Sequence, residues 1–380
     1  MDKQLFVTTI PHFSETNLNS FCWFLEYGLS DELRNFASAL NLNEKLNIRV
    51  YSEEFVLKRP KYSSVQCKRY DLTYAIRIYV PIELIEEGTV NEYLAFFGEI
   101  PLMTEEGTFI INGCERVIIN QIIRSPGIYY RRETQEKTLQ YSATLISDRG
   151  SWLKFEFETG TVQIRLNKAT TVDFYHLLET CGITNFDPST KFNLAILNKS
   201  IQQTPISDFD TNLLTKNLTN NQNINFDSNK GSEDNYLQIF NEKVYSLGKI
   251  GRKKLNSRLG LSIPDSITRV TIDDVIAISN YLVDLHANLG ELDDIDNLRN
   301  RRVRSIGELL QIQYGIGLSR LERSINERLM ITNSTAFKVA TIINPKPIIA
   351  SIKEFFGSSQ LSQFMDQTNP IAFNAQASNK

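Results

Sequence analysis

The sequence predicts an α+β fold organised in two domains, because strand-like and helix-like stretches are both clearly marked. Apolar residues occupy alternate positions from Tyr70 to Val80, which is the period of a strand with one buried face. After Ser305, apolar residues recur every three or four positions, which is the period of an amphipathic helix. With 380 residues, the chain is long enough to bury more than one core. We therefore expect mixed β-sheets with helices.

Further strands are predicted around two hard turns. Asn112-Gly113 lies between apolar runs at 109–111 and 117–119, which is the strongest short hairpin signal and calls for a type I′ turn. Arg124-Ser-Pro-Gly127 predicts a second turn. Apolar residues at 139–166 alternate on both sides of Glu158–Thr161, which predicts a meander. We expect Pro81 to end the strand that begins near Tyr70.

Helices are predicted in four places. Residues 14–40 favour two short helices broken at Gly28. Thr271 opens a helix that reaches about Ala287, with acidic residues at its favourable end. The stretch Ser305–Glu308 has the capping-box pattern and begins a long helix. Residues 345–356 form the last predicted helix.

Composition excludes several classes of protein. The chain is 41% hydrophobic and 22% charged, which is ordinary for a soluble globular protein. No apolar run approaches the ~20 residues that span a bilayer. The four cysteines are far apart and form no CxxC pair, so neither a zinc ribbon nor a disulfide framework is predicted. A net charge of −3 argues against an indiscriminate nucleic-acid binder but leaves room for local patches.

Two charged segments have more than one interpretation. Lys249–Arg258 carries five basic residues and no acidic one, which suits a solvated face or a set of phosphate contacts. Asp294 and Asp296 precede a run of arginines at 299–304. That segment is a self-neutralising loop, a magnesium site on the two carboxylates, or a base-reading pocket in which arginine donors and an aspartate acceptor match guanine. The arginines oppose the magnesium interpretation.

Trp152 also has two interpretations. Beside the bend at Gly150, it is a core anchor or, less expected, an exposed platform for stacking. No phosphate-binding loop, dinucleotide fingerprint, zinc-protease motif or nucleophile elbow occurs in the chain. The residues alone therefore predict no self-sufficient active site.

Four segments together resemble the N-terminal part of the bacterial-type RNA polymerase β subunit. They are GTFIINGCERVIINQIIRSPGIYY, RGSWLKFEFE, DDIDNLRNRRVRSIGELL and KEFFGSSQLSQFMDQTNP, and they occur in the family's order. The resemblance runs from about Thr9 to Pro370. The compact layout is more similar to plastid members of the family than to proteobacterial ones.

The resemblance implies two domains that flank the DNA cleft, one of them discontinuous in sequence. The protrusion would comprise 1–122 and 332–370, and the lobe would comprise 123–331. An asparagine-rich stretch at 198–229 would be a variable loop of the lobe. Residues 371–380 would be a terminal tail.

The resemblance also implies contacts with the non-template DNA strand. The matching positions are Arg124, Trp152, Asn167, Ile295, Asp296 and Arg301. In the family the lobe holds a flipped guanine, and the tryptophan stacks on the preceding base. Asn167 stands about where the family often has an aspartate, which implies a relaxed base preference there.

A second set of positions resembles the wall of the RNA exit path, which in relatives is also part of the rifamycin pocket. Those positions are Arg116, Ile119, Gln360, Leu361, Gln363, Phe364 and Asp366. Amide side chains in this wall would face the RNA–DNA hybrid without demanding a sequence.

After Asn369-Pro370 the family continues into a basic HKRR-type loop, whereas this chain reads IAFNAQASNK. We interpret the chain as the first part of a naturally split plastid β subunit. The expected localisation is the plastid stroma, with the bacterial cytoplasm as the alternative.

The expected activity is that of a DNA-directed RNA polymerase, a nucleotidyltransferase, of which this chain is a subunit. We expect no cofactor or metal on this chain, whereas the assembled enzyme needs Mg²⁺ bound by another subunit. The expected partners are a C-terminal β fragment, β′-type subunits, an α dimer, a sigma factor, double-stranded DNA, the non-template strand and the RNA–DNA hybrid, with no membrane. The alternatives are a free-standing nucleic-acid-binding or scaffold module and, less expected, a metal-dependent enzyme using Asp294 and Asp296.

Overall fold

The computed structural model describes residues 14–40, 48–86, 89–135, 138–158, 161–165, 171–180, 240, 245–287, 289–331 and 343–366. Three sequence predictions fall outside these residues, namely those on Asn167, the loop at 198–229 and the tail at 371–380. The chain forms two compact units. Unit 1 comprises Met1–Ile122 and Val303–Lys380, and unit 2 comprises Ile123–Arg302.

Helices and antiparallel sheets alternate along the chain, so the predicted α+β class is confirmed. The helices are α1 (Glu15–Trp23), α2 (Leu29–Leu40), α3 (Ser64–Arg69), α4 (Phe174–Thr180), α5 (Gly248–Leu259), α6 (Ile272–His286), α7 (Ile306–Ile331) and α8 (Lys346–Ser358). None of the described helices combines the length and apolar character that crossing a bilayer requires. A π-helical turn, Phe24–Gly28, joins α1 to α2, and a 3₁₀ turn spans Leu298–Asn300.

The strands of the described residues form four sheets. They are β1 (Ile48–Val50), β2 (Val56–Lys58), β3 (Ala75–Glu86), β4 (Thr89–Pro101), β5 (Phe109–Ile111), β6 (Cys114–Ile118), β7 (Gln121–Arg124), β8 (Gly127–Gln135), β9 (Thr138–Ile146), β10 (Leu153–Glu158), β11 (Thr161–Arg165), β12 (Thr171–Asp173), β13 (Arg301–Arg304) and β14 (Ser362–Phe364). Strand β3 pairs with β1, β2 and β4, β6 lies between β5 and β14, and β7 pairs with β13. The largest sheet has the order β12-β11-β10-β9-β8.

The hairpin predicted at Asn112-Gly113 is confirmed. Asn112 has a φ of 48° and Gly113 a φ of 77°, as both central residues of a type I′ turn require. Strands β5 and β6 flank the turn, and Phe109 pairs with Arg116 across them. The turn fixes the register that places Arg116 on β6.

Pro81 does not end its strand, so that prediction is wrong. Strand β3 continues through Pro81 to Glu86. Along β3, the pairing with β2 covers Arg77–Tyr79 and the pairing with β1 covers Ile82–Leu84, so Pro81 lies between these two short neighbours. Its carbonyl accepts a hydrogen bond from the Tyr51 amide at 3.1 Å, while no strand partner on that side requires its missing N–H.

The long helix α7 belongs to the core of unit 1. Its predicted apolar stripe is buried at Leu310, Tyr314, Leu318, Leu321 and Ile325. These side chains share one core with apolar residues of α2, β3 and α8. The structure therefore differs from the predicted lobe of 123–331, because the apolar face of α7 is covered by elements of unit 1.

Helix α1 approaches the start of α7 closely. The Ser20 hydroxyl donates to the Ser305 hydroxyl at 2.7 Å and accepts the Gly307 amide at 2.9 Å. This contact satisfies one of the free N–H groups of the first turn of α7. A Cβ on Gly307 would overlap the Ser20 carbonyl oxygen and lie 2.8 Å from the carbonyl carbon.

The meander predicted in 139–166 is confirmed in unit 2. Strands β9, β10 and β11 pair in antiparallel order, with Phe155 opposite Ala143 on one side and Ile164 on the other. One face of this sheet packs against α6, where Ile278 and Leu282 are buried. The helix start predicted at Thr271 is also confirmed, and Thr271 forms a capping box there, because its side chain accepts the Asp274 amide.

The basic run Lys249–Arg258 lies on α5, and one of its members is structural. Arg252 and Asp274 have completely buried side chains and form an ion pair at 2.6 Å. The Arg252 guanidinium also donates to the carbonyls of Ile267 and Arg269. A buried charge needs such partners, so the interpretation of the whole run as a solvated face is wrong at Arg252.

Replacing Gly307 with alanine is expected to lower the free energy of unfolding of unit 1 by about 1–3 kcal/mol, because the new methyl group would overlap the backbone carbonyl of Ser20. Urea unfolding measures this in a Trp152→Phe background, where Trp23 on α1 is the remaining tryptophan. Gly357→Ala on α8 is the control, since a Cβ there meets nothing within 4 Å. Equal midpoints for the two variants would contradict the close approach.

Replacing Arg252 with methionine is expected to destabilise unit 2 by about 3–5 kcal/mol, because Asp274 would keep a buried charge without its partner. In a Trp23→Phe background, the fluorescence of Trp152 follows urea unfolding of this unit. The control is Lys253→Met at the neighbouring exposed position, which should change stability by less than about 0.5 kcal/mol. Similar losses for both variants would argue against the buried pair.

Candidate functional site

The turn Arg124–Gly127 is fixed to a second loop of unit 2. The Ser125 side chain is buried, and its amide donates to the Asn300 carbonyl at 2.9 Å. The Tyr129 hydroxyl donates to the Ser125 carbonyl at 2.8 Å and lies 3.4 Å from the Asn300 carbonyl. The end of β7 and the 3₁₀ turn are therefore neighbours because their backbones are bonded.

The loop before the 3₁₀ turn runs along strand β8. The Asp293 amide donates to the Tyr130 carbonyl, and the Tyr130 amide donates back to the Asp293 carboxylate, both at 3.0 Å. Ile295 is buried against Tyr129 and Ile146. These contacts hold the loop at the point where Asp296 leaves it.

Local hydrogen bonds then present Asp296 to solvent. The Asp294 carboxylate accepts the Asp296 amide at 3.0 Å, and the Asn300 side chain donates to the Asp294 carbonyl at 2.7 Å. Among the described residues, no group of three or more His, Cys, Asp or Glu side chains is placed to hold a metal ion. Asp294 therefore has a structural role in shaping the loop.

Asp296 and Arg301 form an ion pair at 2.8 Å. The hydrogen bond from Arg301 is the main cause that lowers the pKa of Asp296, and the positive charges of Arg301, Arg124 and Arg131 add to it. The carboxylate is consequently an ionised acceptor surrounded by arginine donors. Such an arrangement can bind a planar group that carries donors and acceptors on one edge.

Trp152 is 50% exposed, so its interpretation as a core anchor is wrong. The strand alternation buries Leu153 and Phe155 on β10, which leaves the preceding ring at the surface. The Arg124 guanidinium lies over this ring, 5.5 Å from its centroid. The exposed ring has the geometry of a stacking platform.

The structure thus brings together five of the six predicted DNA-binding residues, with Arg124 acting on both Trp152 and Asp296. Ile295 contributes by packing beneath the loop, since it is buried. Sequence reasoning did not assign Arg131, although its charge acts on Asp296. In strand β8, alternation places Gly127, Tyr129 and Arg131 on one face. This alternation is the sequence signal that could have identified Arg131.

The second predicted set is assembled in unit 1, where β14 pairs with β6. Ser362 is opposite Ile118, and Phe364 is opposite Arg116. The Ile119 amide donates to the Leu361 carbonyl at 2.9 Å. All seven predicted wall residues therefore lie on β6 or β14 or within two positions of these strands.

Contacts within unit 1 fix the position of the Arg116 side chain. Its guanidinium donates to the Phe356 carbonyl at 2.8 Å and lies 4.2 Å from the centroid of the Phe364 ring. Gln360, Gln363 and Phe364 are exposed. The segment 360–364 therefore presents amide groups and an aromatic ring to solvent, while the guanidinium of Arg116 is engaged within unit 1.

Comparison with known proteins bears on both sites. Residues 124–304 match the family described as RNA polymerase Rpb2, domain 2, and these bounds nearly coincide with those of unit 2. The chain is 44% identical over 369 residues to the DNA-directed RNA polymerase subunit beta of Guillardia theta, which covers 96% of this chain and 34% of that relative. It is also 44% identical over 370 residues to the subunit of the same name from Synechococcus elongatus, with 96% and 34% covered. The chain spans about a third of the length of the curated relatives it matches.

Replacing Arg301 with glutamine is expected to raise the pKa of Asp296 towards its usual value of about 3.9. A lowered carboxyl pKa in the folded state favours folding above the unfolded pKa, and this contribution disappears as the pH falls through the folded value. NMR titration of the Asp296 carboxyl carbon measures the change. The control is Arg302→Gln, because Arg302 pairs with Asp148 at 2.9 Å. An unchanged titration midpoint in the Arg301 variant would refute the pairing.

Proposed function

We propose that this chain, which belongs to the RNA polymerase β family and corresponds to the N-terminal part of its members, forms one side of the DNA cleft in a multisubunit DNA-directed RNA polymerase. In this role it contacts the non-template strand and walls the RNA–DNA hybrid during transcription. The observation that carries the proposal is the ionised Asp296 beside Arg301 and Arg124, with Trp152 exposed next to them.

The chemistry of these groups suits a guanine base. The N1–H and N2–H₂ groups of guanine are donors that a carboxylate accepts, while O6 and N7 accept from arginine. Among the described residues, Arg301 is the one side chain that bonds Asp296, and it uses a single carboxylate oxygen. The other oxygen is open to a base. The ring of Trp152 offers a π-face to a neighbouring base of any identity.

The β6–β14 segment of unit 1 supports the proposed wall of the hybrid. Gln360 and Gln363 present amides, which both donate and accept and so do not demand one base sequence. Phe364 is 64% exposed and lies beside them. A surface of this kind can face a moving nucleic-acid hybrid without binding any register tightly.

The proposed role leaves nucleotidyl transfer to another subunit of the assembled enzyme. There Mg²⁺ would stabilise the developing charge of the transferred phosphoryl group. The proposed protein partners are the remaining β sequence, β′-type subunits, an α dimer and a sigma factor. The proposed compartment is the plastid stroma, with the bacterial cytoplasm as the alternative, because relatives from Guillardia theta and Synechococcus elongatus are equally similar.

Replacing Asp296 with alanine in the assembled polymerase is expected to shorten the lifetime of promoter complexes that carry a non-template guanine at the contacted position. Loss of a base-reading contact worth about 1–3 kcal/mol corresponds to roughly 5–150-fold. The measurement compares dissociation rates on templates that carry guanine or thymine at that position. The variant should no longer distinguish the two templates.

Asp265→Ala is the matched control, because Asp265 is an exposed carboxylate of the same unit and forms no ion pair among the described residues. It should retain the preference of the unmodified enzyme. If the Asp296 variant kept that preference as well, the guanine pocket would be excluded. Failure of the chain to assemble with α and β′-type subunits would instead favour a free-standing nucleic-acid-binding module.

A further inference from the structure

Lys254 on α5 lies against the turn that carries Arg124. A Cβ built on Gly127 would lie 3.4 Å from the Lys254 Cβ and 3.6 Å from its Cδ. The same point is 3.9 Å from the Tyr129 hydroxyl. The methylene stem of Lys254 therefore packs against the turn, and the residue is only partly exposed.

Arg299 reaches the surface at the same turn. It is exposed on the 3₁₀ turn and directly precedes Asn300. The Asn300 carbonyl accepts the Ser125 amide and lies near the Tyr129 hydroxyl. Two stretches of chain thus converge on residues 125–129, and each brings one cation.

These two cations have no anionic partner among the described residues. The positive charge of Arg299, after the larger effect of burial, lowers the pKa of Lys254. Two other cations of α5 are paired, since Arg258 binds Asp293 at 3.2 Å and Arg252 binds Asp274. Two like charges held together without a carboxylate create a local preference for an anion.

We propose that Lys254 and Arg299 bind one backbone phosphate of the single DNA strand whose base reaches Asp296. The base pocket uses other cations, because Asp296 pairs with Arg301 at 2.8 Å whereas Lys254 packs against Gly127. It rests on the proposed function for its ligand, a phosphodiester of single-stranded DNA. An arginine fork together with a lysine point charge suits the non-bridging oxygens of such a group.

The phosphate contact is independent of base identity. Its role is to fix the position of the strand, whereas the groups around Asp296 read the base. A phosphate bound here would also relieve the repulsion between Lys254 and Arg299. The site therefore contributes affinity that depends on salt concentration, and it does so equally for every sequence.

The test uses the full chain and a fluorescent single-stranded oligonucleotide that contains one guanine. The unmodified chain is compared with the Lys254→Gln/Arg299→Gln double variant over a range of salt concentrations. The slope of log K against log[salt] should be smaller by about 0.7 in the double variant, as expected for one neutralised phosphate. No detectable binding by the unmodified chain, or equal slopes, would overturn the proposal.

A scan with single methylphosphonate linkages locates the contact. One neutral linkage near the guanine should weaken binding by the unmodified chain about tenfold, and the same linkage should have no effect on the double variant. The control is Lys253→Gln/Arg269→Gln, which removes the same charge from exposed positions of unit 2 and should retain the linkage effect. If no linkage distinguishes the double variant from the unmodified chain, the phosphate site does not exist.

The two proposals fail in different ways. Replacing the guanine with thymine should weaken binding to the unmodified chain and to the double variant by the same factor. If this base effect is absent while the linkage effect persists, the guanine pocket is wrong and the phosphate site stands. If the base effect persists while the linkage effect is absent, the phosphate site alone is wrong. Urea unfolding of each variant shows that the compared chains are equally folded.

Discussion

The hydrogen bond from the Ser125 amide to the Asn300 carbonyl is the constraint on which the arrangement of unit 2 depends. It joins two stretches that are far apart in sequence, since Tyr129 and Asn300 are separated by 171 positions. Arg124 directly precedes Ser125, and Arg301 directly follows Asn300. The backbone hydrogen bond therefore makes the two arginines neighbours before any charge is considered. The ion pair with Asp296 then selects among rotamers that the backbone has already brought into reach.

Neighbouring groups, more than residue type, decide what each arginine does. Arg252 is buried and serves the core because Asp274 and two carbonyls satisfy it. Arg116 is positioned by a carbonyl and an aromatic ring. Arg301 pairs with the Asp296 carboxylate at the surface, where an exposed ion pair adds little to stability. Arg299 is exposed and forms no ion pair within the part of the chain that the structure describes. The same guanidinium group is thus structural, positioning or available for a ligand.

Features set by neighbouring residues were predictable from the sequence, whereas features set by distant contacts were not. The Asn112-Gly113 turn and the Thr271 cap depend on a few adjacent residues, and both formed as expected. Pro81 is tolerated within a strand because β1 and β2 leave a gap there, which no local pattern shows. Arg252 belongs to a basic run whose partner lies on another helix. The residues predicted to bind DNA were identified through the resemblance, and the structure supplied the mutual geometry of those it describes.

The discontinuity of unit 1 has a consequence for synthesis on the ribosome. All of unit 2 is translated before α7, whose apolar face completes the core of unit 1. At about 5–20 residues per second, the roughly 180 residues of unit 2 that precede α7 take on the order of 9–36 s to make. During this interval the strands of unit 1 lack α7 and α8, and long-range closure is intrinsically slow. Unit 2 is a contiguous segment, whereas the core of unit 1 is completed only after α7 and α8 have emerged.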